Sequence, residues 1–197
     1  MVNFKWYIEK GYGYLEPDHT FIYDKDYLQK FKDYEQDPKT DKLNELRREF
    51  VDVYIQGQFL LDYGCGACTF IKSRPNTYGF DLIPETIEQL KDLEKYFKPI
   101  CCLPNICFWD SLEHIPDPSI ILKHVLEYAF ISTPIYKDVE SVFTSKHYKP
   151  NEHLWYFTMR GLINYMKENN FIHIAYYDLE SKIGRKSIGT FAFKRDL

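Results

Sequence analysis

Short apolar runs alternate with amphipathic stretches along most of this chain, starting near residue 59. The apolar runs have the length of β-strands and lie at residues 59–61, 77–80, 100–103, 106–109, 128–132, 171–177 and 187–193. Between them, Pro84, Pro118 and Thr158 stand where helices begin, because proline suits the first helical turn and threonine caps it. An earlier helix is predicted from Thr40 to Gln56, where apolar residues recur with helical spacing.

Strands that alternate with helices predict an α/β fold with a doubly wound, Rossmann-like sheet and helices on both faces. We expect seven strands, mostly parallel, with an antiparallel last strand. The 197 residues suit a single domain, with a core at 40–197 and an aromatic-rich segment at 1–39. In such sheets, ligands bind beyond the carboxyl ends of the strands. That rule selects four residues: Asp62, Asp81, Leu103 and Asp110.

The segment before residue 40 is aromatic and irregular in pattern. Residues 11–14 are predicted to form a loop, and residues 26–34 a short helix. The chain contains 17 Tyr and 15 Phe, and tyrosine suits a pocket wall because it buries area while keeping a polar group. We therefore expect residues 1–39 to close over a ligand site as a lid.

The most informative stretch is LLDYGCG at residues 60–66, where an apolar strand runs into a carboxylate and two glycines. Without Cβ atoms, Gly64 and Gly66 let the backbone turn sharply and approach a ligand closely. Asp81 ends the next strand, 19 positions after Asp62. At this spacing an acidic side chain binds ribose hydroxyls in nucleotide-binding α/β folds.

Several nucleotide classes fit this turn poorly. A dinucleotide site needs a third glycine where the chain has Thr69, and the Gly-Lys-Ser/Thr ending of a phosphate loop is absent. A carboxylate beside the glycines disfavours polyphosphate and favours a ligand with a positively charged amino group. The turn alone is also common as a plain strand-to-helix connection, so later motifs decide its interpretation.

Motifs in a fixed order give the chain a family resemblance. Residues 60–66 resemble the first motif of class I S-adenosylmethionine-dependent methyltransferases, and the chain departs from that motif at Cys68, where the family has glycine. The sequence FWDSLEHIPDP at 108–118 is similar to the fourth-strand motif of the branch that includes ubiquinone-type and other small-molecule methyltransferases. Residues 132–134 and 153–158 follow in the order of that branch.

The resemblance implies an enzyme that takes a methyl group from S-adenosylmethionine, releases S-adenosylhomocysteine and methylates an oxygen or nitrogen of a small molecule. Asp62, Gly64 and Gly66 would then meet the methionine half, and Asp81 the ribose hydroxyls. In the family, the region after the third strand contacts the adenine ring. Here that region is short, and it provides only backbone groups and Asn105 for this contact. The full expected cofactor set is Asp62, Tyr63, Gly64, Cys65, Gly66, Asp81, Leu82, Leu103 and Asp110.

An oxygen acceptor would also need a base, and two histidines lie where the family places the acceptor. His114 follows the fourth strand and His153 precedes the last long helix. We expect one of them to serve as the catalytic base, although each position suits a capping or packing histidine equally well.

Two alternatives to a small-molecule enzyme stay open. One is a non-catalytic S-adenosylmethionine-binding regulatory protein, which Cys68 and the short third-strand region favour. The other is a nucleic-acid methyltransferase. Amino-directed DNA enzymes carry an Asp/Asn-Pro-Pro-aromatic motif where this chain has DSLE at 110–113, which argues against them.

Charge and apolar pattern limit the partners. The net charge is −4, no basic stripe stands out, and Arg47 and Arg48 are predicted to lie on an ordinary solvated face. We therefore expect no nucleic-acid partner. With no membrane-length apolar run and no secretory signal, the prediction is a cytoplasmic protein without a membrane partner. The oligomeric state stays open.

The cysteines are expected to be free thiols, because their number is odd and no secretory signal precedes them. Cys65 and Cys68 have the spacing of a redox or zinc pair, but no second pair completes a zinc site. The adjacent Glu113 and His114 lack a second histidine four positions away. On these grounds no metal is expected.

Overall fold

The computed structural model describes residues 3–17, 21–33, 35 and 37–196. The described strands are β1 (Asn3–Tyr7), β2 (Tyr12–Glu16), β3 (Leu60–Tyr63), β4 (Thr77–Phe80), β5 (Leu103–Trp109), β6 (Val125–Tyr136), β7 (Trp155–Thr158), β8 (Phe171–Tyr177) and β9 (Ile188–Arg195). The described α-helices are α1 (Lys25–Lys32), α2 (Pro38–Ile55), α3 (Thr69–Ser73), α4 (Pro84–Asp92), α5 (Ser119–Leu122), α6 (Val139–Thr144) and α7 (Met159–Glu168). Short 3₁₀ helices lie at Leu112–His114 and Glu180–Ile183.

The strands form one mixed sheet. Its centre, in the order β4-β3-β5-β6, is parallel, and β9 and then β8 continue it in antiparallel fashion. The long strand β6 pairs twice: its first part lies between β5 and β9, and its end pairs with β7. From β7 the sheet continues through β2 to β1. The predicted α/β class, with a parallel centre and an antiparallel last strand, is confirmed.

Helices cover both faces of the sheet because successive strand residues point to opposite sides. In β5, Phe108 belongs to the apolar cluster that also holds Leu162 of α7. Its neighbour Cys107 belongs to the opposite cluster, with Phe50 of α2. Fully burying a large apolar side chain contributes roughly 1.5–3 kcal/mol, so this alternation fixes which side of each strand faces which helices.

The number of strands differs from the expected seven, because the described residues form nine. The separate strand expected at 100–103 does not form. Instead, Tyr96 makes a single bridge to Gly79, and Leu103 begins a strand that runs on through the expected fourth one. Pro104 lacks an N–H, and a register shift accommodates it beside Asn105. The Asn105 amide also ties β5 to its neighbour by donating to the Phe59 carbonyl at 3.0 Å.

The loop expected at 11–14 is also wrong. Gly11 ends a tight turn with φ of 81°, and Tyr12 already lies in β2, opposite Phe157 of β7. The Tyr12 ring packs edge-on against Tyr165, with 5.5 Å between centroids. The aromatic residues of this segment thus build a sheet extension, whereas residues 1, 2, 18–20, 34 and 36 of the expected lid lie outside the described chain.

Caps set the helix starts. Asp37, rather than the expected Thr40, caps α2, since its side chain accepts from the Lys39 N–H. Thr158 caps α7 as predicted and accepts from Gly161 N–H at 2.9 Å. Among the described helices, none has both the length and the apolar character required to cross a bilayer.

Candidate active site

A cavity of about 670 Å³ opens at the carboxyl ends of β3, β4 and β5, within the size range typical of small-molecule sites. The glycine turn after β3 and Asp81 line one part of its wall, and Tyr23, Tyr27 and His114 line another. Residues from distant parts of the chain therefore line one cavity.

The turn after β3 requires its glycines. Gly64 has φ of 80° and Gly66 has φ of 53°, and a Cβ on Gly64 would lie 2.7 Å from Ser111 Cβ. Cys68 has φ of 63° and is buried. It thus adopts the left-handed conformation that a glycine would take at this position, so the departure from the family motif leaves the turn intact.

The Asp81 carboxylate holds this turn together. Its Oδ2 accepts from Gly66 N–H at 2.8 Å, and its Oδ1 accepts from the N–H groups of Leu82 and Ile83 at 2.7 and 3.0 Å. Burial raises the pKa of Asp81 although these backbone donors oppose it. Since Oδ2 has one donor among the described residues, it can accept a second from a ligand hydroxyl.

Asp62 lies at the end of β3 and is buried with little polar support. The Cys107 thiol donates to its Oδ1 at 3.7 Å. Burial raises the pKa of Asp62 to about 7, with the charge of Arg47 acting in the opposite direction. An ammonium group brought into the cavity would stabilise the ionised form of this carboxyl.

Asp110, at the end of β5, belongs to a ring of four charged side chains. Arg47 Nη2 donates to Asp110 Oδ2 at 2.8 Å and to Glu180 Oε1 at 2.6 Å. Arg185 donates to the same two carboxylates. Although burial raises the pKa of Asp110, the charges of Arg185 and Arg47 outweigh it and hold that pKa below its usual range.

The prediction that Arg47 lies on a solvated face is wrong, because Arg47 belongs to this ring of charged side chains. Arg47 is buried, and its guanidinium also lies over the Trp109 ring, 4.9 Å from the centroid. Nothing in the sequence around Arg47 indicates its partner Glu180, which is 133 positions away. Arg47, Arg185 and Trp109 line the cavity and were missed by sequence reasoning.

The structure brings together most of the expected cofactor residues. Those that line the cavity are Asp62, Tyr63, Gly64, Cys65, Gly66, Asp81, Leu82 and Asp110. Leu103 is the exception and its assignment is wrong. As the first residue of β5 it is buried at the opposite end of the strand, paired with Val125, because the strand expected to end there does not form.

The two predicted bases lie side by side, with their rings 4.7 Å apart between centroids. His114 is half-buried and lines the cavity, whereas His153 is buried and lies outside the cavity wall. Burial lowers the pKa of His114 to about 4 and that of His153 to about 2. The Tyr23 hydroxyl lies 3.2 Å from His114 Nδ1.

Glu113 completes this corner and was absent from the expected site. It is buried, and burial raises its pKa to about 8, aided by the charge of Asp110. The Leu154 N–H donates to the Glu113 carbonyl at 2.8 Å. Trp155 Nε1 donates to the Ile115 carbonyl at 2.9 Å, so two backbone segments far apart in sequence are tied together here.

Comparison with known proteins identifies the family of this chain. Residues 34–175 match the family model of a methyltransferase domain, which is more than half of the chain. The chain is a member of this methyltransferase family. As its ordered motifs predict, it is a class I, S-adenosylmethionine-dependent enzyme, and the predicted cofactor is confirmed.

Solved structures share the fold of this methyltransferase at low identity. An S-adenosylmethionine-dependent methyltransferase from Clostridium acetobutylicum is 14% identical, with a TM-score of 0.62 over 87% of this chain and 99% of that chain. The 1,6-didemethyltoxoflavin-N1-methyltransferase of Burkholderia thailandensis is 15% identical, with a TM-score of 0.55 over 98% and 99%. The magnesium protoporphyrin IX methyltransferase of Synechocystis, with bound S-adenosylhomocysteine, is 12% identical, with a TM-score of 0.57 over 83% and 84%. No curated protein matches this methyltransferase.

Proposed function

We propose that this methyltransferase transfers the methyl group of S-adenosylmethionine to an oxygen or nitrogen of a small molecule that binds between α1 and His114. The observation that carries the proposal is the continuity of the cavity. The glycine turn and Asp81 line the same cavity as Tyr23, Tyr27 and His114. We assign the first group to the cofactor end and the second to the acceptor end, so that cofactor and acceptor share one space.

The cofactor end fits the chemistry of S-adenosylmethionine. Gly64 and Gly66 would admit the methionine half, with Asp62 facing its ammonium group. Asp81 would accept from the ribose hydroxyls through Oδ2. Once bound, the cofactor supplies a methyl group on a sulfonium, so the protein has mainly to position the acceptor and exclude water.

The acceptor end favours a compact, partly aromatic molecule. Tyr23 and Tyr27 are half-buried in the wall, and their rings pack edge-on at 5.1 Å between centroids. Such rings offer apolar contact area with a polar group at one end. His114 adds a neutral imidazole that can accept a hydrogen bond from the acceptor.

His114 is the better candidate of the two histidines for the acceptor-facing role, because it lines the cavity. We assign His153, which is buried behind it, a positioning role. With its pKa lowered to about 4, His114 is neutral at physiological pH but holds a transferred proton weakly. Orientation of the acceptor is therefore the contribution of His114 that the geometry supports best.

Small-molecule substrates also agree with the neighbours and the charge. The Burkholderia enzyme was crystallised with bound 1,6-didemethyltoxoflavin. The net charge of −4 disfavours a nucleic-acid acceptor. The presence of Cys68 in place of the family glycine is the main argument for a non-catalytic binding protein. Because Cys68 adopts the conformation of that glycine, the argument is weakened. Taken as one domain, residues 40–197 would form the cofactor-binding core, with residues 1–39 contributing to the acceptor side.

The proposal is tested with methyl-labelled S-adenosylmethionine and a panel of phenols, carboxylic acids, amines and RNA. We expect label on a small molecule and a large loss of rate in Tyr27→Ala, which removes an acceptor-side ring. A matched control is Tyr177→Ala, an exposed ring on β8 away from the cavity. Label transferred only to RNA, or no transfer by protein that binds the cofactor, would contradict the proposal.

A further inference from the structure

Three potential metal ligands meet beside the cavity, and one of them, His114, lies in its wall. Glu113 and His114 lie on the 3₁₀ helix Leu112–His114, and His153 comes from the segment before β7. One ligand atom from each lies within 4.8 Å of those of the other two. The backbone bond between Leu154 and Glu113 fixes the two segments against each other, so the cluster is part of the folded framework.

Two of the candidate ligand atoms are buried without a hydrogen-bond partner among the described residues, although the other oxygen of Glu113 bonds to Thr133. Glu113 Oε2 and His153 Nδ1 make no hydrogen bond within the described part of the chain. Leaving a buried polar atom unpaired is costly, and such atoms are rare in folded proteins. Two unpaired buried ligand atoms beside the His114 imidazole indicate that a cation, which would displace any proton they carry, fits between them.

The donor set selects the kind of cation. Two imidazoles and one carboxylate are typical of zinc and similar divalent transition metals, rather than of magnesium or calcium, which prefer oxygen ligands. Zinc bonds of about 2.0–2.2 Å place tetrahedral ligand atoms roughly 3.3–3.6 Å apart. The observed spacing therefore needs side-chain shifts of only about 1 Å to reach coordination distance.

We propose that Glu113, His114 and His153 bind a divalent transition-metal ion of the zinc class beside the acceptor end of the cavity. Three protein ligands leave a coordination position open. Since His114 lines the cavity, an ion that it holds would lie next to the space assigned to the acceptor.

The cation would explain how an acceptor is recognised where no strong base is available. A bound divalent ion lowers the pKa of a hydroxyl group that coordinates it. It therefore favours acceptors with an ionisable hydroxyl or an anionic oxygen. This part of the inference rests on the proposed function, whereas metal binding itself does not.

Metal binding is tested on the chelator-treated full chain without any cofactor. Calorimetry with Zn²⁺ and the visible spectrum with Co²⁺ should show one ion per chain and the absorption of a low-coordinate nitrogen–oxygen site. Glu113→Gln and His114→Gln should each weaken Zn²⁺ binding by at least about 10–100-fold, the range found for loss of outer-shell partners alone. His114 is partly exposed, so its variant keeps the test informative if the buried Glu113 variant fails to fold.

The matched control is His147→Gln, since His147 lies outside the cluster and makes its own contact with the Lys186 carbonyl. Its affinity for Zn²⁺ should equal that of the wild type. The inference is overturned if no stoichiometric ion binds, if all variants bind alike, or if Co²⁺ shows a sulfur charge-transfer band from Cys65 and Cys68. Methyl transfer is assayed separately, so failure of the metal site leaves the proposed function standing, and the reverse also holds.

Discussion

Three carboxylates line the cofactor end of the cavity, and their surroundings give them different properties. Among the described residues, Asp62 is buried with the weak thiol donor of Cys107, Asp81 accepts three backbone N–H groups, and Asp110 lies between two arginines. Asp110 thus has its counter-charge within the protein, Asp81 has neutral donors, and Asp62 has the least support without a ligand. This difference separates residues that bind the cofactor from residues that hold the site together.

The raised pKa of Asp62 gives a testable pH dependence of stability. Its folded pKa of about 7 lies above the unfolded value of about 3.9. Its contribution to the free energy of unfolding is therefore present below about pH 4 and is lost as pH rises through about 7, on the order of 4 kcal/mol. In Asp62→Asn the ligand-free protein should lose this part of the pH dependence, as measured by denaturant unfolding between pH 4 and 8.

The control for this measurement is Asp92→Asn, which changes an exposed carboxyl on α4. It should leave the pH profile of unfolding unchanged. If Asp62→Asn and wild type show parallel profiles, Asp62 is ionised in the ligand-free protein and the assigned environment is wrong.

Asp81 offers a prediction for affinity. Asp81→Ala should weaken both S-adenosylmethionine and S-adenosylhomocysteine by about 1–3 kcal/mol, because the turn N–H groups and the ribose hydroxyls lose their acceptor. Calorimetry on the folded variant measures this. Glu85→Ala changes an exposed carboxylate at the start of the following helix α4, and we expect wild-type affinity there. Equal affinities in both variants would remove Asp81 from the cofactor site.

At the scale of residues, the sequence predicts those whose role follows from their position at the end of a strand. Asp62, Asp81 and Asp110 could be selected because a parallel sheet brings its carboxyl ends to one edge. Arg47 and Glu113 could not, because Glu180, which pairs with Arg47, and His153, which lies beside Glu113, come from segments far away in the chain. No local pattern encodes a contact that forms only when distant segments pack together.

At the scale of elements, the junction between the β1–β2 hairpin and α7 is unusually tight. Gly161, in the first turn of α7, lies so close to the hairpin that a Cβ would be 1.9 Å from the Gly11 carbonyl oxygen. The Thr158 hydroxyl also donates to this carbonyl, at 2.8 Å. Two glycines thus permit backbone-to-backbone contact between elements at opposite ends of the chain.

Gly161→Ala should destabilise the protein by about 1–3 kcal/mol or more, since rigid backbone blocks the added methyl group. Helix propensity alone would predict the opposite, a gain of up to about 1 kcal/mol. Thermal and denaturant unfolding decide between the two. The control is Gly184→Ala, at an exposed glycine with open space around it. Any loss of stability in this variant should come only from the positive φ at that position. A stabilised Gly161→Ala would show that the hairpin is not seated on α7.

Among the elements, those set by local signals were predictable and those set by pairing partners were not. Pro84 and Thr158 begin α4 and α7 as expected. The separate strand predicted at 100–103 does not form, because an apolar run becomes a strand only when a neighbouring strand pairs with it. The Asn105 amide instead helps to hold the following residues in β5. Likewise, residues 12–14 form part of a strand because β1 and β7 pair with them from the two sides.

At the scale of the whole molecule, α1 closes one side of the cavity. Its neighbouring Tyr23 contacts His114, and Tyr27 lines the wall. Ligand binding should therefore reduce exchange in α1, because openings of this segment expose the site. On adding S-adenosylhomocysteine, we expect slower amide hydrogen exchange at residues 21–33 and unchanged exchange at residues 3–7. A uniform change in both segments, or none in α1, would contradict a lid role.

The pairing of β2 with β7 has a consequence for synthesis on the ribosome. The edge of β2 that pairs with β7 is made about 140 residues before its partner, a delay of roughly 10–30 seconds at ordinary translation rates. During that interval a hairpin carrying aromatic side chains offers unpaired backbone groups, the kind of edge to which other nascent chains can add. The yield of folded protein should therefore depend on chaperones or on slow growth of the cells that make it. In the finished fold, β7 covers this edge.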